Sequence, residues 1–327
     1  MFQFLKNKNI LITGGCGFIG SNLAHFLVES GANITILDSM IADYGGNLFN
    51  IHSIKNKINI NFSDMRDIHS MKYLVKEKDI IFNLAGQVSH IDSMKDPLTD
   101  LDINSRSQLT FLEACRLHNP KARIVFASTR QIYGIPNYLP VNEDHPINPI
   151  DINGVNKYSA EKLHSLYHKV YGIKTTSLRL TNVYGPKQLI KHNKQGFTGI
   201  FVREAIQGNT INLYGTGNQK RDFNYVSDVC EAFILAAIKK EAVGQIYNLG
   251  FHTPYSLTDF VSMLKKHCSF SYKKQPFPNE KKKIDIGSYY ADYSKINNEL
   301  GWTPRIDLDQ GLKLTVDFYK KNINHYL

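Results

Sequence analysis

"NILITGGCGFIGSNLAHFL", residues 9–27, is the stretch that decides the fold. It opens on a short apolar run of strand type and closes on apolar residues at helical spacing. Between the two lie Gly14, Gly17 and Gly20. Glycines there permit a tight turn and a close approach of backbone to a pyrophosphate. The first turn of the helix then supplies unpaired N–H groups and partial positive charge. Glycines also close ordinary turns, so the spacing carries weight only because a strand precedes it and a helix follows. The next apolar run, "NITILD" at 33–38, ends on Asp38. A carboxylate there accepts hydrogen bonds from an adenosine ribose and repels a 2′-phosphate, which favours NAD over NADP. The bland alternative for Asp38 is a solvated acid at a strand end.

The pattern continues outward from this unit. "INFSD" (60–64), "DIIFNLAG" (79–86), "RIVFAS" (123–128) and "KTTSLRLTNV" (174–183) read as strands. "SQLTFLEACRLH" (107–118) and Val155 to Tyr171 read as helices. Strands alternating with helices of this length imply an α/β fold with a doubly wound parallel sheet, the Rossmann arrangement. From about Pro186 the pattern loosens into Gly-rich and polar loops with scattered helices. The expected organisation is therefore an NAD-binding Rossmann domain over 1–185, with 226–250 returning to it. Residues 186–327 would form mainly a substrate-binding lobe over the carboxyl ends of the strands.

The 327 residues are 42% hydrophobic and 21% charged, ordinary values for a soluble globular protein. No apolar run approaches a membrane span, and the start has no signal-peptide layout. Cys16, Cys115, Cys230 and Cys268 are scattered without C-x-x-C spacing. That speaks against a zinc site or a disulfide framework and for a reduced, cytoplasmic protein without a metal. The formal charge of +10 is spread along the chain, its densest run being "KKK" at 281–283. Without a nucleic-acid motif, it fits an anionic small substrate or a solvated surface better than a nucleic acid.

"TGGCGFIG" (13–20), "SDM" (63–65), "NLAGQV" (83–88), "STRQIYG" (128–134) and "LRLTNVYGP" (178–186) now combine into something specific. Together they resemble the extended short-chain dehydrogenase/reductase family, in its branch of nucleotide-sugar epimerases and dehydratases. "GTGNQKRDFNYVSDV" (215–229), "YNLG" (247–250) and "YADYSKINNELGWTP" (290–304) extend the resemblance over nearly the whole chain. The UDP-glucose 4-epimerases are one similar branch. "NLAGQV" and "NKQGFTGIFVREA" (193–205) look most like the CDP-tyvelose 2-epimerases.

The resemblance implies roles. Gly14, Gly17, Phe18, Ile19 and Gly20, with Asp38 and Ser39, would cradle NAD. Asp64 and Met65 would flank the adenine, and Leu84, Ala85 and Gly86 would line the cofactor at the fourth strand. Thr129 stands where the family keeps a catalytic Ser or Thr that hydrogen-bonds the reacting sugar oxygen. Gln87, Arg130, Gln131 and Asn182 would meet the sugar nucleotide, and Arg221 its diphosphate. Lys282 falls roughly where the family has a second diphosphate arginine, supplying charge without a bidentate fork. Asn182 as a turn cap and Arg221 as a surface charge are the plain alternatives. Dehydratases of the family carry Asp-Glu where this chain has Arg130 and Gln131. Arginine does not release its proton and glutamine does not titrate, so elimination of water by that route is not expected.

"DINGVNKYSAEKLH" (151–164) holds two pairs with the same i, i+4 spacing, Asn153 with Lys157 and Tyr158 with Lys162. The family pattern is Tyr-Gly-x-Ser-Lys, followed by a small residue and Glu, then Tyr-Gly about ten residues on. With Lys157 as the family lysine, Gly154, Glu161 and "YG" at 171–172 all fall into place, and Asn153 occupies the tyrosine position. With Lys162 they do not, although an insertion before the helix would restore Tyr158 as the catalytic tyrosine. The first register is favoured. It leaves the usual base, a tyrosinate, without a successor, and Tyr133, Glu143 and His145 are the titratable residues nearby in sequence. The expected activity is NAD-dependent epimerisation of a nucleotide-diphosphate sugar, of the kind that feeds polysaccharide biosynthesis, by a homodimer. The alternatives are a net reductase or decarboxylase on the same substrates, or a silent NAD- or nucleotide-sugar-binding protein.

Overall fold

The computed structural model describes residues 3–41, 43–193, 196–278 and 282–327. Six strands, β1 (Asn9–Thr13), β2 (Asn33–Leu37), β3 (Ile58–Asn61), β4 (Ile80–Asn83), β5 (Arg123–Thr129) and β6 (Lys174–Leu180), join the edge strand Ile246–Asn248 in one sheet. Every pairing is parallel. The order is edge strand, β6, β5, β4, β1, β2, β3, so the winding reverses between β1 and β4. A crevice opens at that reversal, outside the carboxyl ends of the strands. The doubly wound α/β fold is as expected.

Successive strand residues point to opposite faces, and here both faces are buried. Ile10, Ile12, Ile34, Ile36 and Val125 share one core with Leu23 and Leu27 of helix α1 (Phe18–Glu29) and Phe233 of α8 (Val226–Ile238). Leu11, Leu37, Ile81 and Ile124 share the other with residues of α2 (Ile68–Leu74), α5 (Ser107–His118) and α6 (Ile152–Tyr171). Between α2 and α5 run two short helices, α3 (His90–Lys95) and α4 (Pro97–Leu101), then a π-helical turn over Asp102–Arg106. Among the described residues no helix is long and apolar enough to cross a membrane.

Three sequence expectations shift. The third strand is 58–61, not 60–64: Ile34 to Leu37 pair with Ile58 to Asn61, and Phe62 is 61% exposed. The strand from Lys174 stops at Leu180, after which Asn182–Tyr184 pairs with Phe223–Tyr225 in a separate two-stranded sheet. The helix expected from Val155 begins at Ile152, because Asp151 caps it by accepting the Gly154 N–H at 2.6 Å.

Beyond 186 the chain adds α7 (Phe197–Ile206), the parallel pair Thr210–Tyr214 with Ser271–Gln275, and helices Leu257–Leu264, Ser294–Leu300 and Leu308–Asn322. It then returns to the segment around Asn47–Asn50 beside the glycine loop. The Asn47 amide donates to the His325 carbonyl at 2.9 Å, and the Phe49 and His325 rings stack at 3.7 Å. Tyr326 donates to the Asn50 side-chain oxygen, while the Asn50 amide donates to the Cys16 carbonyl at 2.9 Å.

Candidate active site

A cleft of about 340 Å³, within the range of small-molecule sites, runs along the carboxyl ends of β1, β4 and β5. One half is built from the glycine loop. Gly14 has φ +68°, and a Cβ on it would lie 3.0 Å from the Ala85 backbone. A Cβ on Gly20 would lie 2.3 Å from the Gly14 carbonyl oxygen. The loop therefore keeps the helix start and the chain after β4 closer than any side chain allows. No side chain caps α1, which leaves the amides of its first turn for a ligand. Thr13 Oγ1 accepts the N–H groups of both Leu84 and Ala85 at 3.1 Å, fixing the β4 end beside the loop.

Phe18, Ile19, Ser39, Asp64, Met65 and Gly86 stand on the same wall. Asp38 accepts the Cys16 N–H and the Met40 N–H, each at 2.9 Å; burial raises its pKa and these two bonds restrain the rise. Arg66 grips Asp64 with two bonds of 3.0 and 2.7 Å; burial opposes the ionised form, yet the guanidinium holds the carboxyl below its usual range. A glycine cradle that a Cβ would fill, an uncapped helix start and a carboxylate at the end of β2 together fit a dinucleotide with a 2′-hydroxyl.

The other half centres on α6. Lys157 is 7% exposed, and its Nζ donates to the Ala127 carbonyl at 2.8 Å and would lie 3.4 Å from a Cβ on Gly86. Burial draws its ammonium down to about 8, against the pull of the Asp100 and Glu161 carboxylates. One turn earlier, the Asn153 amide donates to the Gln87 carbonyl (2.9 Å), Gln87 Oε1 (3.2 Å) and Asp100 Oδ2 (3.0 Å). Asp100 is 1% exposed and also accepts the amides of Asn104 (3.0 Å) and Asn156 (2.7 Å). Beneath Lys157, Glu161 and Arg179 form a buried bidentate pair at 2.7 and 3.0 Å, and Ser128 donates to Glu161 at 2.6 Å.

On the remaining wall, Thr129 Oγ1 accepts the Gln131 N–H at 3.2 Å. Arg130 donates to Asn182 Oδ1 at 3.1 Å, and the Gln131 amide donates to Asp151 Oδ2 at 3.1 Å. The structure thus brings Gln87, Thr129, Arg130, Gln131, Asn153, Lys157 and Asn182 to one cleft. Arg221 and Lys282 are not on its lining. Arg221 is buried near enough to Arg130 for the two charges to repel, donates to the Lys220 and Gly287 carbonyls and lies 3.7 Å from Asp285, while Lys282 is exposed. Tyr158 packs with Leu139, Ile147 and Ile150 on a satellite core, and the exposed Lys162 sits 5.3 Å over its ring. Tyr133, Glu143 and His145 also lie off the wall, bonded to Asn248, the Asn248 N–H and the Asn137 N–H respectively.

Two residues that sequence reasoning passed over do belong to the site. Asp100 supports Asn153 from behind, and His90 lines the cleft beside Asp151. The one signal for His90 was its position just after "NLAGQV", at the start of a helix capped by Ser89.

The chain is similar to known proteins over nearly its whole length. The family model described as GDP-mannose 4,6 dehydratase matches residues 11–315. A putative UDP-glucose 4-epimerase of Methanocaldococcus jannaschii is 35% identical over 96% of this chain and 99% of its own length. UDP-glucuronic acid decarboxylase 1 of Xenopus tropicalis is 30% identical over 99% of this chain and 75% of its own. The crystal structure of a UDP-glucose 4-epimerase of Thermus thermophilus in complex with NAD superposes with a TM-score of 0.84. It is 29% identical and covers 95% of this chain and 99% of that one.

Proposed function

The chain belongs to the GDP-mannose 4,6-dehydratase-like extended short-chain dehydrogenase/reductases, and from that premise we propose that it epimerises one carbon of a nucleotide-diphosphate sugar. Its cofactor is NAD. When bound, NAD would supply the acceptor and donor of hydride for one sugar carbon. The protein's part is to hold, orient and manage protons. Gly14, Gly17 and Gly20 cradle the diphosphate, Asp38 takes the adenosine ribose, and Lys157 takes the nicotinamide ribose. Gln87, Arg130, Gln131 and Asn182 form the sugar side. We take 1–185, with 226–250, as the cofactor-binding part and 186–327 as mainly the substrate lobe.

The observation that carries the epimerase reading is the pair Arg130 and Gln131. Each is tied to a neighbour, Asn182 and Asp151, and neither can act as the acid or base of an elimination. A second reading, ligand binding without turnover, is supported by Asn153, whose amide is already committed to Gln87 and Asp100. The NAD-loaded protein, incubated with UDP-, CDP-, GDP- and dTDP-hexoses and followed by NMR, separates these. Epimer with no net NADH or CO₂ is the expected result. Release of CO₂ or stoichiometric NADH would replace it with a decarboxylase or a reductase, and binding without product with the silent protein.

The substrate-free protein is expected to be a homodimer. Leu109 and Leu117 on α5, with Leu166 and Val170 on α6, are all more than two-fifths exposed on adjacent helices. Exposed apolar residues on paired helices support an interface there. Sedimentation at micromolar concentration should give twice the chain mass, and Leu166→Glu should halve it; a monomeric wild type would refute the dimer.

A further inference from the structure

We infer that His90, backed by Asp151, is the proton-transfer residue that stands in for the tyrosine Asn153 has displaced. The inference rests on the epimerase reading above and deepens it. Oxidising a sugar hydroxyl removes two things, a hydride from carbon and a proton from oxygen, and the second needs an acceptor. Among the described residues on the cleft wall, Asp38 and Asp64 stand at the adenosine end with Tyr44 and Arg66. That leaves His90, Arg130 and Lys157 near the sugar side. Arginine does not release its proton, and Lys157 already donates to the Ala127 carbonyl.

His90 has the surroundings a proton carrier needs. Its side chain is 37% exposed and lines the same cleft as Thr129, Asn153 and Lys157. The backbones of the two residues meet at one hydroxyl: the Asn153 N–H donates to Ser93 Oγ at 3.3 Å, and Ser93 Oγ donates to the His90 carbonyl at 2.8 Å. His90 Nδ1 lies 3.0 Å from Asp151 Oδ2, close in distance though not aligned as a hydrogen bond. Such contacts often tighten only when substrate is bound. Asp151 is itself fixed. It caps α6 through Gly154 and accepts the Gln131 amide; burial raises its pKa, but its partners hold the carboxyl below the usual range.

An ionised carboxylate at Nδ1 keeps the proton on that nitrogen and leaves the Nε2 lone pair for chemistry. As the sugar C–H bond yields its electron pair to the nicotinamide, the O–H bond breaks, its proton passes to His90 Nε2, and C=O forms. On re-reduction from the other face the proton returns to oxygen, so atoms and electrons balance without any further reactant.

The test uses the NAD-loaded full chain and the nucleotide sugar found to turn over. Single-turnover cofactor reduction is read at 340 nm, and NAD and nucleotide-sugar binding by calorimetry. His90→Gln and His90→Ala should bind both ligands as wild type does. Each should lose turnover by about 10²–10⁴-fold, the usual contribution of general acid–base help. Added imidazole should restore part of it to His90→Ala and none to His90→Gln. Turnover within about threefold of wild type, read as a change in transition-state stabilisation, would overturn the assignment. So would a loss that tracks weakened binding and resists imidazole. If wild type turns over no nucleotide sugar at all, the epimerase reading fails and this inference with it, whereas turnover by wild type that the His90 variants match sinks this inference alone.

Discussion

Lys157→Met is expected to lower turnover by at least ~10²-fold, the scale on which one preorganised donor in a closed site contributes. The ammonium is the one cation of the cleft that lies between the Ala127 carbonyl and Gly86, among the described residues. Methionine matches its length and removes its charge and donors. The fold should survive the change. Burial takes the lysine from an unfolded value of about 10.4 to about 8, so the unfolded chain binds more protons across that window. Wild-type stability should therefore rise between about pH 8 and the unfolded value, and the variant should lack that slope. Denaturant melts at several pH values check the slope, and single-turnover absorbance checks the chemistry. Weaker NAD binding with turnover intact would make Lys157 a mere ligand anchor.

Glu161→Ala is the substitution expected to harm the fold most. Glu161 is wholly buried and Arg179 nearly so, and the guanidinium also reaches the Tyr133 hydroxyl. Removing the carboxylate takes the main acceptor from a buried guanidinium and from the Ser128 hydroxyl. Breaking one side of such a pair costs about 3–5 kcal/mol, a large share of the roughly 5–15 kcal/mol that holds a domain folded. Replacing both partners together, as Glu161→Leu with Arg179→Met, should recover most of it, because no charge is then stranded. A midpoint in urea unmoved by Glu161→Ala would refute the account.

What was legible in the sequence was what depends on neighbours along the chain. The glycine loop and the strands around it were readable because strand, turn and helix follow one another within residues 9–27. Which lysine of residues 151–164 turns inward was readable from Gly154, Glu161 and "YG" around it, for Lys157 lines the cleft and Lys162 is exposed. The third strand was placed two residues late because its position is set by pairing with β2, which the chain order does not show and which leaves Phe62 in solvent. The setting of Arg221 was hidden because its neighbours Arg130 and Asp285 lie far from it along the chain. His90 and Asp100 were illegible for the same reason. Each meets α6 across more than fifty residues of chain.

The bonds around Asn153 also bear on how exchangeable that position is. Its amide serves two oxygens of Gln87 and a carboxylate of Asp100. A tyrosine at 153 would withdraw that donor, yet each oxygen keeps another: Asn104 serves the Gln87 carbonyl and Asp100 Oδ2, and the Ser89 N–H serves Gln87 Oε1. No buried acceptor is left bare, so only the lost bonds count, about 0.5–1.5 kcal/mol each. Asn153 is held by its neighbours without being locked in, because the network around Asp100 stays joined whichever residue stands at 153.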